Sequence, residues 1–449
     1  MTLSTDGGGT SLWEQFSREL PAWFRDAKLG IFIHWGAYSV PAWAEPTGEL
    51  GLVDDRIWFR HNPYAEWYWN TIRFDDSPAR QYHRQTFGNA PYDDFLDAWA
   101  AESFDPADWA RLFAHAGARY VIPTTKHHDG ITLWDAPGTA TRNTVHRGPR
   151  RDLVDEIAVA VRDAGLRFGV YYSGGLDWGV TSLPPLDSAA AVVQRRPNDA
   201  AYAAYAYLHV RDLIDRYRPE VLWNDIEWPD AGKHGYRLGL VELFRHFYAT
   251  VPEGVTNDRW GDTHGDFRTS EYQLGQEHEA GEAWQNTRGI GLSFGYNQLE
   301  DERHLLDGAG IVRHLADVVS RGGNLLLNVG PTAAGTIPEP QRRSLRQLGD
   351  WMAVNDAAIH ATRPLDQKVA RSSDEPWVRW TRGAGFAYAI VDAGGPVRLQ
   401  ASPDALALDT AQLLDGTPVR ARAAGDQVMA RLPEVAAGGP VVVRFAHSG

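Results

Sequence analysis

Eight short apolar runs in the first 331 residues constrain the fold of this chain more than any other feature, because each closes on glycine or on a polar, acidic or aromatic residue. They are KLGIFIHWG (28–36), ARYVIPTTKHHDG (118–130), LRFGVYYSGG (166–175), EVLWNDIEW (220–228), EGVTNDRW (253–260), FRTSEYQ (267–273), GIGLSFGYN (289–297) and GGNLLLNVGP (322–331). Several are separated by amphipathic stretches, the alternation of parallel βα units. The intervening helices carry their own punctuation. In FDPADWARLFAHAGA, Asp105 suits the N-cap, Pro106 the first helical position and Gly117 the C′ position; RDLVDEIAVAVRDAG ends in the same way at Gly165. Eight strands in about 350 residues fit an α/β fold, an irregular (β/α)8 TIM-like barrel. The irregularity is expected at 260–267 and 273–289, which lack a convincing helix, and residues 40–100 form a long first excursion over the top.

After the helical stretch EPQRRSLRQLGDWMAVNDAAI the pattern changes to short alternating runs, VRWTRG, GFAYAIVD, VRLQA and VVVRFA, broken by Gly, Pro and Asp turns. These predict a small C-terminal antiparallel β-sandwich. The chain thus divides into a barrel domain over 11–358 and a sandwich over 359–449.

Charge and cysteine content remove whole classes of function. A net charge of −14 argues against nucleic acid or an anionic membrane surface as partner. The absence of cysteine removes thiolate metal sites and Cys nucleophiles together. The N-terminus MTLSTDGGGTSLWEQF lacks a basic segment and an apolar h-region, so the chain reads as cytoplasmic; a mature chain that has lost its signal peptide would look the same. Eighteen Trp fit a well-packed core first, and a sugar site, where rings stack on sugar faces, second.

In such a barrel the polar residues closing the strands converge at the C-terminal mouth. Here they are His34, His127 with His128, Tyr171, Asp225, Arg259, Glu271 and Asn328, interleaved with Trp35, Trp223 and Trp260. A core strand gains nothing by ending on Asp225, since desolvating an unpaired carboxylate is costly. Two carboxylates among neutral hydrogen-bonding groups and aromatic rings form the inventory that glycoside hydrolysis needs. The rival is a metal-dependent barrel hydrolase using KHHDG and His34. Against it, adjacent strand residues point to opposite faces, so His127 and His128 share one ion only if the strand end curls.

Taken in order, FIHWG, KHHDGITLW, FGVYYSGGLDW, LWNDIEWPD, NDRWG, TSEY, TRGIGLSFGYN and GGNLLLNVGP resemble the α-L-fucosidases of glycoside hydrolase family 29, from about residue 11 to 358 and more loosely beyond. The resemblance implies an exo-acting retaining enzyme with a covalent fucosyl-enzyme, no cofactor and no metal, acting on small-molecule or oligosaccharide substrates that bear terminal L-fucose. Carried onto this chain, it makes Asp225 the nucleophile and Glu271 the acid/base, with Glu66 of YAEWY a second carboxylate with an acid/base claim. His34, Glu66, Trp67, His127, His128, Tyr171 and Arg259 would hold the sugar ring, and Phe32, Trp223 and Phe294 would supply an apolar wall for its methyl group. Glu227 departs from the small or apolar residue expected of the family; alternation would place it on the strand face of Asp225, and a position beyond the strand end would equally point it into solvent. A non-catalytic fucose-binding protein would use the same rings and imidazoles without needing an ionised carboxylate. Linkage preference and oligomeric state are not written in these motifs.

Overall fold

The computed structural model describes residues 12–272, 281–433 and 439–447. Eight parallel strands form one curled sheet: β1 (Leu29–Ile33), β2 (Tyr120–Lys126), β3 (Arg167–Ser173), β4 (Val221–Asp225), β5 (Val255–Thr256), β6 (Arg268–Glu271), β7 (Trp284–Gly289) and β8 (Asn324–Val329). Their order is β5-β4-β3-β2-β1-β8-β7-β6. A single parallel bridge, Asn257 to Phe267, joins the two edges, and the carbonyl of Thr256 accepts from the amide of Asp266 there at 2.8 Å. Strand order, closure and the burial of every strand but β6 make this a barrel, weakest at the β5–β6 seam, where the connecting segment forms no helix.

The helix signals act where the sequence puts them. Asp105 caps the helix Pro106–His115 by accepting from the Asp108 amide, and Asp152 does the same for Leu153–Asp163. Gly117 and Gly165 follow these helices with φ of 89° and 75°, the left-handed conformation that closes a helix.

Strand seven departs from expectation. The run at 289–297 is a turn, and the strand is the preceding WQNTRG, Trp284–Gly289, all of it buried. Its polar side chains find partners inside the protein: Gln285 accepts from Trp223 Nε1 and donates to Tyr120 Oη, Asn286 meets His314, and Arg288 pairs with Glu49. A polar strand stays buried when every group is bonded, and such a strand has no apolar run to reveal it.

Residues 37–104 cross the top of the barrel. Beyond the helix Glu339–Asn355 the chain is antiparallel. A six-stranded sheet includes Trp377–Gly383, Phe386–Val391, Ala407–Leu413 and Val441–Ala446, and a three-stranded sheet is formed by Gly395–Leu399, Arg420–Ala424 and Gln427–Leu432. Val378, Trp380, Leu399, Val428 and Phe445 pack between these sheets. Buried Arg379 pairs with buried Asp317 of the helix Gly308–Ser320, which ties this part to the barrel.

Candidate active site

At the C-terminal mouth lies a cavity of about 620 Å³ whose walls include Phe32, His34, Glu66, Trp67, His127, His128, Tyr171, Trp223, Asp225, Arg259, Glu271 and Phe294. All twelve residues to which the resemblance assigns a catalytic or sugar-binding role are brought together there. A cleft of about 750 Å³ between the barrel base and the C-terminal sheets is larger, but among the described residues its lining carries one carboxylate, Glu282, which is tied to Arg268.

Strand register sets the height of the acidic groups. Asp225, the last residue of β4, pairs with Ser173 of β3, and Glu271, the last of β6, pairs with Thr287 of β7. Arg259 bridges the two carboxylates, with Nη1 2.9 Å from Asp225 Oδ1 and Nη2 3.2 Å from Glu271 Oε2. The guanidinium carbon lies 4.7 Å from the centroid of Trp223, whose ring stacks on Tyr171. Tyr171 donates its hydroxyl to Asp225 Oδ2 at 2.8 Å, and the Ile226 amide donates to Oδ1. Burial alone would raise the pKa of Asp225; the charge of Arg259 and the Tyr171 hydroxyl outweigh it, so the carboxyl sits below its usual range and is ionised near neutrality.

The histidines are neutral. Burial lowers His34 to about 4 and His128 to about 3, and pushes His127 well below the ordinary value. Their tautomers follow from their partners. Asn328 Nδ2 donates to the Phe294 carbonyl, which fixes the amide so that Oδ1 accepts from His34 Nδ1 at 2.7 Å and leaves His34 Nε2 as an acceptor. Ser173 donates to the Leu176 carbonyl, so its oxygen accepts from His128 Nδ1, and His128 Nε2 is again an acceptor. That nitrogen lies 3.8 Å from Asp225 Oδ2. With a neutral imidazole the pair is no ion pair; two acceptors at this spacing suit a hydroxyl donor lying between them. His127 Nδ1 is buried with no partner among the described residues.

His127 and His128 both reach the cavity because the register of β2 against β3 shifts between Thr124 and Lys126, which ends the alternation before the histidines. Their ring centroids are 3.9 Å apart. The curl that a metal site needs is therefore present, yet among the described residues no three His, Asp or Glu side chains converge to hold an ion.

Glu66 enters from the excursion over the top, on the turn Ala65–Trp67. Its Oε2 accepts from the Gly295 amide at 2.7 Å and the Ser293 hydroxyl at 3.2 Å, but no cation accompanies it, and burial raises it to about 7. Tyr64, two residues earlier, donates to Glu271 Oε1 at 2.9 Å. Tyr64 and Trp58 line the cavity and were not singled out from the sequence, because they sit in a loop without periodicity; their only signal was the aromatic density around Glu66.

Three expectations change. Glu227 does not share a face with Asp225: β4 stops at Asp225, Ile226 and Glu227 take φ of 56° and 70°, and Glu227 turns away to Arg196 at 2.8 Å and Lys233 at 3.1 Å. Trp35 packs edge-on against Trp99 and Trp109, and Trp260 packs on Trp228 and Phe244; neither reaches the cavity.

A family model described as alpha-L-fucosidase matches residues 8–357. An α-L-fucosidase of Dictyostelium discoideum is 32% identical over 389 residues, covering 84% of this chain and 79% of that one. The human tissue α-L-fucosidase is 33% identical over 383 residues, covering 83% and 76%. Among solved structures, a Thermotoga maritima α-fucosidase in complex with fucose is 44% identical, with a TM-score of 0.84 and coverage of 95% of this chain and 97% of that one.

Proposed function

The chain belongs to the α-L-fucosidase family of glycoside hydrolases, and from that premise we propose that it is an exo-acting, retaining enzyme that removes terminal α-L-fucose through a glycosyl-enzyme on Asp225. The observation that carries this reading is the single Arg259 guanidinium gripping both Asp225 and Glu271 at the floor of an aromatic cavity. Carboxylates joined by one guanidinium lie close together, as a nucleophile and its acid/base partner must in a retaining mechanism.

In the first step a carboxylate oxygen of Asp225 bonds to the anomeric carbon while the bond to the aglycone oxygen breaks, and that oxygen takes a proton from Glu271, a step that requires Glu271 to be protonated in the substrate complex while Asp225 is charged. In the second, Glu271 takes a proton from water, the water oxygen bonds to the anomeric carbon, and Asp225 leaves as carboxylate. Glu271 is favoured over Glu66 as acid/base because it is more open to the cavity, whereas Glu66 is almost wholly buried and bonded to the Ser293–Gly295 turn. His34, His127, His128 and Trp67 would take the sugar hydroxyls, and Phe32, Trp223 and Phe294 the methyl side. The substrate class is any small molecule or oligosaccharide that ends in L-fucose.

The test is release of nitrophenol from 4-nitrophenyl α-L-fucopyranoside, with Asp225→Asn purified identically. Turnover should fall by several orders of magnitude in the variant. Equal activity in both proteins would overturn the role of Asp225, and fucose binding without turnover in the wild type would turn the reading to a sugar-binding protein.

A further inference from the structure

The cavity has two layers of opposite chemistry. Its floor carries the imidazoles, carboxylates and guanidinium described above. Its mouth is formed by two segments that cross above them, and their lining residues include Leu50, Val53, Trp58, Ala189, Ala190 and Val192. The Ser188 hydroxyl, which also lines the cavity, is engaged as the N-cap of the helix Ala189–Gln194, accepting from the Ala191 amide and donating to Asp187. Among the described charged side chains of these segments, Arg56 is bonded to Asp54 and Arg195 to Asp187, and none of the four lines the cavity.

The apolar character continues outward. Leu52 is 81% exposed, Val193 63% and Ile57 45%, and all three lie on these two segments. Clustered exposure of large apolar side chains around a binding cavity marks a surface that waits for an apolar ligand.

We infer that the subsite for the leaving group takes an apolar aglycone, an alkyl, aryl or terpenoid alcohol, in preference to a second sugar. The inference rests on the fucosidase reading. A sugar placed between Val53, Trp58 and Val192 brings several hydroxyls to a wall whose side chains offer them few partners, and each unpaired hydroxyl counts against binding. An alkyl or aryl group loses nothing there and covers surface that is otherwise wet.

The experiment compares kcat/KM for three α-L-fucosides: methyl, n-octyl below its micellar concentration, and methyl β-D-galactoside fucosylated at O2. Methyl and octyl alcohols are equally poor leaving groups, so their ratio reports the subsite alone, and the sugar alcohol is the better leaving group, which weights the test against the inference. Octyl fucoside should exceed methyl fucoside by about tenfold or more, through KM, and should exceed the galactoside. In Val192→Asn the octyl-to-methyl ratio should fall severalfold toward one. A ratio near one in the wild type, or a galactoside preferred by tenfold, overturns the inference and leaves the fucosidase reading intact. Failure on all three and on 4-nitrophenyl fucoside removes that reading and the inference with it. A dimer seen by sedimentation velocity whose formation suppresses turnover would give Leu52 and Val193 to a second copy of this chain instead.

Discussion

Asp225 and Glu66 are both buried in the lining of the same cavity, yet their carboxyl groups are shifted in opposite directions. Asp225 has a guanidinium at 2.9 Å and stays ionised. Glu66 has backbone amides and a hydroxyl, with no cation beside it among the described residues, and burial carries it to about 7. The difference teaches that dipoles alone do not offset desolvation of a carboxylate here, whereas one formal charge does. Glu300 makes the same point behind the wall: it accepts from two backbone amides, of Leu292 and Ser293, and burial still lifts it to about 8.

The contrast breaks most sharply at Arg259. Arg259→Met should lower kcat/KM by roughly 10²- to 10³-fold, the scale of losing an aimed charge in a catalytic site. Because the guanidinium holds Asp225 down, its removal should move the acid limb of the pH profile to higher pH; Arg259→Lys, which keeps a charge, should restore part of both. An unmoved acid limb would mean that Asp225 owes its ionisation to something else.

Glu66→Gln sharpens the other side. The Glu66 pKa in the fold, about 7, lies above the ordinary 4.5, so its contribution to stability is whole at low pH and drains away as pH rises through about 7. Glu66→Gln should remove this contribution, so the melting temperature of the variant relative to the wild type should rise as pH is raised across that window. Selective loss of turnover on fucosides with poor leaving groups in this variant would move the acid/base role from Glu271 to Glu66.

Glu227→Gln should do least. Alternation along β4 would have put its charge beside Asp225 and altered the pH profile. With Glu227 held by Arg196 and Lys233 outside the cavity, both kcat/KM and the profile should match the wild type within about twofold, the scale of a partly exposed ion pair.

These carboxyl groups also show what the sequence could convey. β4 was legible because an apolar run ended on an acid, a pattern that core packing alone does not produce. β7 was illegible because Gln285, Asn286 and Arg288 look like surface residues until their partners on other strands and helices are known. The site residues on strand ends could be listed from spacing and resemblance, but the shift of Asp225 depends on partners 34 and 54 residues away, and that of Glu66 on a turn 227 to 229 residues away. The apolar mouth was the least visible part: Leu50 to Trp58 and Ser188 to Val192 carry no motif, and only their meeting above the floor gives them meaning.

The hydrogen bond from Asn328 to the Phe294 carbonyl has a reach beyond His34. By fixing one amide it fixes one tautomer, and together with Ser173 it leaves two imidazole nitrogens and an ionised carboxylate all asking for protons from whatever fills the cavity. The molecule that fits must supply them. A fluorinated sugar of the same size and shape accepts where fucose donates, so this pocket measures its guest by mobile hydrogens before it measures it by volume.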